Sequence, residues 1–217
     1  MKSVLRVGTV SLVAGTFLAL SACKGNDTPP PPPATSKSPE NAPPTERVVG
    51  PLSDVEAGAL ASMNDRLKAY VDLHLKLERS LPKLRDEATP EQIDKNQRDL
   101  AKLMQAARAT AKPGDLFTPE ARPVIQRLLA TVFSGPDGKQ LKASIMDENP
   151  VDPAKLKLTV NSRYPDVVPL TSVPPQVLQT LPKLSEDLEY RFVGDWLILL
   201  DTHAHTIADY IDNALPK

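Results

Sequence analysis

From residue 53 onward, apolar side chains recur at intervals of three and four, broken at regular points by residues that start or stop helices. Ser53 followed by Glu56 predicts a capping box, in which the serine oxygen accepts from the third helical amide and the glutamate reaches back to the serine amide. Leu60, Met63, Leu67, Tyr70, Val71, His74, Leu77 and Leu81 then trace one apolar stripe as far as Pro82, with Asp65, Arg66, Lys68 and Lys76 on the other face. Thr89, Pro90 and Gln92 repeat the logic, with proline in the first helical position. The second stripe, Ile93, Leu100, Leu103, Met104 and Ala107, ends near Pro113 and Gly114. Thr118 and Pro119 predict a third helix, which carries Val124, Ile125, Leu128, Leu129, Val132 and Phe133 to Gly135. A short fourth is expected from about Lys139 to Met146. Three to four helices joined by short turns predict an antiparallel bundle.

The period then changes. Leu156, Leu158 and Val160 alternate with Lys157, Thr159 and Asn161, which predicts a strand with one wet face. A proline-rich passage follows, with one helical turn expected at 176–181. Residues 188–193 and 196–200 flank Gly194 and Asp195, a two-residue break suited to a tight hairpin with glycine first. Residues 206–211 would return as a further antiparallel strand. The expectation is an α+β protein: a helical lobe over 53–150 and a small antiparallel β-meander over 151–217 packed on the helices.

Before residue 53 the pattern is different. Lys2 and Arg6 precede an uncharged apolar run over 7–20, the arrangement of a secretory signal, and the run is shorter than the roughly 20 residues a spanning helix needs. It ends in Leu20, Ser21, Ala22 and Cys23. This box resembles the lipobox of bacterial lipoproteins, and the resemblance implies cleavage after residue 22 and lipid, including palmitate, on Cys23. Two or three acyl chains, at about 0.8 kcal/mol per buried methylene, make a lasting anchor. Lys24 follows, not the aspartate of the enterobacterial inner-membrane signal, which points to the outer membrane facing the periplasm in a Gram-negative cell. Residues 23–52 are then a tether: Pro29 to Pro33 run unbroken, Pro39, Pro43 and Pro44 follow, and large apolar residues are scarce. At about 3.1 Å per residue in polyproline II the segment spans at most roughly 80 Å.

Composition narrows the chemistry. Cys23 is the only cysteine, so no disulfide, thiolate nucleophile or cysteine-based metal site is available to the folded part. Loss of Lys2 and Arg6 with the signal takes the formal charge from −1 to −3, without a block of one sign, so nothing suggests nucleic-acid binding and no nucleic-acid partner is expected. The expected partners are the membrane, through the lipid, and another envelope protein. Residues 174–211, above all Leu188, Glu189, Tyr190, Arg191, Phe192, Val193 and Gly194, resemble a group of bacterial envelope proteins, a resemblance that implies a recurrent domain and no activity.

One motif invites a catalytic reading. Asp201, Thr202, His203, Ala204 and His205 follow an apolar strand and resemble the first-strand His-x-His of metal-dependent amidohydrolases, where the two imidazoles bind a divalent metal. In that family the motif opens a barrel of about 250 residues, whereas this chain runs only to Lys217. Two readings follow. In the first, 202–205 connect two strands, the protein is a non-enzymatic binding or structural module, and no cofactor is needed beyond the lipid on Cys23. An apolar patch is then expected beside Trp196 or at the edge of the meander. In the second, the protein is a metal-dependent hydrolase or metal-binding protein, with His203, His205 and a carboxylate such as Asp201 or Asp209 sharing a divalent ion. Elsewhere the bland readings lead: His74 as a packed, hydrogen-bonded histidine, 134–138 as a turn, and Glu186, Asp187 and Glu189 as a solvated acidic patch. No serine sits in a nucleophile elbow.

Overall fold

The structure is a computed structural model that describes residues 50–148 and 151–216. The signal peptide, Cys23 and all of the tether except 50–52 lie outside the described residues. Among the described residues no helix is long and apolar enough to cross a membrane.

The helices begin where the capping signals place them. α1 (Asp54–Glu78) opens on the Ser53 box: the Ser53 amide donates to Glu56 Oε2 at 2.9 Å and the Glu56 amide to Ser53 Oγ at 3.3 Å. Its buried face is Ala59, Leu60, Met63, Leu67, Tyr70 and His74. α2 (Pro90–Ala107) opens on the Thr89 and Gln92 box and buries Leu100, Ala101 and Met104, but Ile93, expected on the same stripe, is 43% exposed. α3 (Ala121–Phe133) starts three residues after Thr118, whose Oγ1 accepts from the Ala121 amide at 3.2 Å. α4 (Gly138–Glu148), a short α5 (Pro153–Leu156) and α6 (Pro175–Thr180) complete the helices. α1 packs on α2 and α3, and α3 on α4 and α6.

The strand expected from the alternation at 156–161 does not form. α5 occupies its start, and the backbone turns left-handed at Lys157 (φ 51°) and Asn161 (φ 66°). The apolar residues do not line one face of a sheet; Leu158 points into a core of its own. The meander itself forms as expected: β1 (Leu188–Val193), β2 (Trp196–Asp201) and β3 (Thr206–Ile211) make an antiparallel sheet in the order β1-β2-β3, with Val193 paired to Trp196 across the Gly194 turn (φ 56°). The molecule is therefore α+β.

Both faces of this sheet are buried. Tyr190, Phe192, Leu197, Leu199 and Ile211 join the helical side chains in one core cluster, while Val193, Ile198, Leu200 and Ile207 pack against Leu158, Tyr164 and Val168 in a second. Two-sided burial is why β2 reads Trp-Leu-Ile-Leu-Leu without polar interruption. Residues 161–164 also cover the start of the free edge of β3: the Asn161 amide donates to Ile207 O at 2.8 Å, the Ile207 amide to Ser162 O at 2.9 Å, and the Tyr164 amide to His205 O at 2.9 Å. The part of the edge covered in this way offers no template to another chain. Trp196, at the rim of the second cluster, is half-buried and stacks on Tyr210 with centroids 4.5 Å apart.

Candidate functional site

β2 ends in a charge that the core must accommodate. Asp201 is fully buried on the helix-facing side of the sheet, and every bond it makes fixes something. Its Oδ2 accepts from the Tyr70 hydroxyl at 2.8 Å and lies 2.7 Å from His74 Nδ1, while its Oδ1 accepts from the Ala204 amide at 2.7 Å and shapes the turn. Tyr70 and His74 are one helical turn apart on α1 and so reach the same carboxylate. Burial, followed by the neighbouring Asp201 charge, holds the Tyr70 hydroxyl well above its ordinary pKa. For His74, burial alone would lower the pKa, but the hydrogen bond and charge of Asp201, helped by Asp187 and Glu78, leave it raised.

The hydrogen-bond pattern assigns the tautomer of His74. A carboxylate oxygen can only accept, so Nδ1 donates to Asp201 and Nε2 carries the lone pair in the neutral ring. That Nε2 is buried and, among the described residues, has no hydrogen-bond partner. It faces Glu78 Oε2 at 3.9 Å and Asp187 Oδ1 at 3.8 Å, both too far to be hydrogen bonds. His203 completes the group: its Nδ1 is 2.9 Å from Glu78 Oε1 and its ring centroid 5.5 Å from that of His74. Ligand atoms of His74, Glu78 and His203 all lie within 4.8 Å of one another. Solvent reaches the group from one side, because the Glu78 and His203 side chains are 35% and 51% exposed while His74 is sealed.

The residues of the 201–205 motif part company. Asp201 and His203 face α1, although Asp201 meets His74 from behind. His205 sits at φ 52°, in the left-handed region, and its ring meets Tyr164 edge-on at 5.7 Å, in the second core cluster. Burial, followed by the Arg163 charge, lowers its pKa. The convergence of Asp201, His203 and His205 on one ion therefore does not occur, because the chain turns at 202–205 and the alternation of an extended strand is lost. Asp209, the other candidate carboxylate, is buried and accepts from the amides of Gly114, Leu116 and Phe117 at 3.1, 2.8 and 2.8 Å. It binds the α2–α3 loop to the sheet. His74 is packed and hydrogen-bonded, as its place on the stripe suggested. Asp187 is not simply solvated, since it turns toward His74 with only 14% of its side chain exposed.

Glu78 was the residue that sequence reasoning missed. Its signal is spacing: His74 and Glu78 are four apart on α1 and must share a face. What no spacing could supply is His203, brought to that face from 125 residues away.

Compared with protein-family models, with curated proteins and with solved structures, the chain matches none.

Proposed function

We propose that this protein is a cell-envelope lipoprotein whose folded part is a non-enzymatic binding or structural module. In this reading lipid on Cys23 holds it to a membrane, the outer membrane facing the periplasm in a Gram-negative cell, and the proline-rich segment holds the domain away from the bilayer. An antiparallel helical bundle carries the meander, and the partner is another envelope protein.

The observation that supports a module over a hydrolase is the use to which the motif is put. Asp201 and Asp209 are saturated by bonds that tie α1 and the α2–α3 loop to the sheet. His205 packs on Tyr164. These groups hold the fold together. The tether also has a natural point of attachment, because Gly50, Pro51 and Leu52 are exposed where they lead into α1.

The reading is tested by following the full chain in bacterial membranes with radiolabelled palmitate. The expected result is a labelled, membrane-held protein whose N-terminal residue is Cys23, with label and processing both lost in Cys23→Ala. A wild-type protein that is unlabelled, or that starts at another residue, would overturn it.

A further inference from the structure

The geometry points to a divalent transition-metal site, of the kind that takes Zn²⁺, formed by His74 Nε2, one imidazole nitrogen of His203 and a carboxylate oxygen of Glu78, with Asp187 beside them. Three groups that can donate electron pairs, His74, Glu78 and His203, converge on one small volume with Asp187 Oδ1 3.8 Å from His74 Nε2, and among the described residues that buried nitrogen has no hydrogen-bond partner. Facing the Nε2 lone pair with carboxylates is unfavourable unless a positive charge, either a proton on Nε2 or a metal ion, lies between them. A cation answers that need. Two imidazoles with one or two carboxylates is a zinc-type donor set, and the two carboxylates balance the charge of a divalent ion.

Three further features fit. Asp201 grips His74 through Nδ1, which is the outer-shell arrangement that orients a metal-binding imidazole and directs its other nitrogen outward. Tyr70 holds Asp201 in turn. The site is anchored on one side and adjustable on the other: His74 is fully buried on α1, whereas Glu78 and His203 are surface side chains able to close in. Closing is required, because atoms about 2.0–2.1 Å from a tetrahedral zinc lie roughly 3.3 Å apart, and His74 Nε2 is 3.9 Å from Glu78 Oε2. That contraction falls to Glu78 and His203, whose side chains are 35% and 51% exposed and are not held by packing as His74 is. The solvent-facing side leaves a coordination position for water, as in sites that are open rather than purely structural.

The test titrates Zn²⁺ into the full chain, purified in detergent and stripped with a chelator, by calorimetry, with Co²⁺ absorption as a report of tetrahedral geometry. Expected are one ion per chain and an intense Co²⁺ band, with affinity falling at least about tenfold in His203→Ala and in Glu78→Gln. Both side chains reach the surface, so circular dichroism should show these variants folded. His205→Ala, facing the other cluster, should bind as the wild type does. The proposal is overturned if no stoichiometric binding occurs, if His203→Ala binds Zn²⁺ as tightly as the wild type, or if His205→Ala loses binding equally.

Discussion

Two aspartates on neighbouring strands show how single residues organise this protein. Asp201 reaches back to α1, and Asp209 reaches across to the segment before α3; both are wholly buried. A buried carboxylate is tolerable only when its lone pairs are used. Asp209 Oδ2 takes the Leu116 and Phe117 amides, and its Oδ1 takes those of Gly114 and Tyr210. Asp209→Asn preserves the shape but turns one acceptor into a donor, leaving two buried amides opposite an NH₂ group. At about 1–3 kcal/mol for each of the two abandoned donors, the domain should lose roughly 2–6 kcal/mol. Chemical denaturation measures it, and an unchanged midpoint would show that the loop is held by other means. Asp209 stood out in the sequence as a carboxylate near two histidines. Its partners did not, since backbone amides more than 90 residues away have no spelling.

At the scale of elements, local chemistry fixed the beginnings of α1 and α2 because the capping residues lie within the segment they cap. The same holds for the hairpin at Gly194. The 134–138 loop is subtler: its glycines read as an ordinary turn, yet one of them has a packing reason. A Cβ at Gly138 would lie 1.8 Å from the Phe133 carbonyl oxygen and 2.3 Å from its carbon, so the end of α3 and the start of α4 touch through backbone alone. Gly138→Ala must push the helices apart and should cost about 1–3 kcal/mol. A calorimetric scan would register this as a lower melting temperature. A variant that melts with the wild type would mean that the α3–α4 turn can be re-formed with a side chain in it. The 156–161 segment shows the opposite limit. Its alternation is real, but period two records only which residues seek burial, not that a partner strand exists. The left-handed turns at Lys157 and Asn161 carry no glycine to mark them.

For the whole molecule, the decisive feature is that the sheet has two covers. The helices bury one face, and the 151–168 segment, in spite of its poor regular structure, buries the other. The unbroken apolar run in β2 already implied two-sided burial, but the identity of the second cover was hidden behind the false strand. The candidate cation group belongs to the helical cover, since α1 supplies His74 and Glu78. The second cover is a separate cluster and should respond separately. Leu158 is 4% exposed within it, so Leu158→Ala removes buried methyl groups at a cost of about 2–5 kcal/mol. Where the loss appears is the informative part. The 161–164 segment pairs with β3 through the Asn161, Ile207 and Tyr164 amides. If the second cover opens as a unit, hydrogen exchange at those amides should accelerate more than at amides within α1, whose packing faces the other cluster. Uniform acceleration across both sets would mean that the two covers unfold together, and that the sheet transmits the loss of one face to the other.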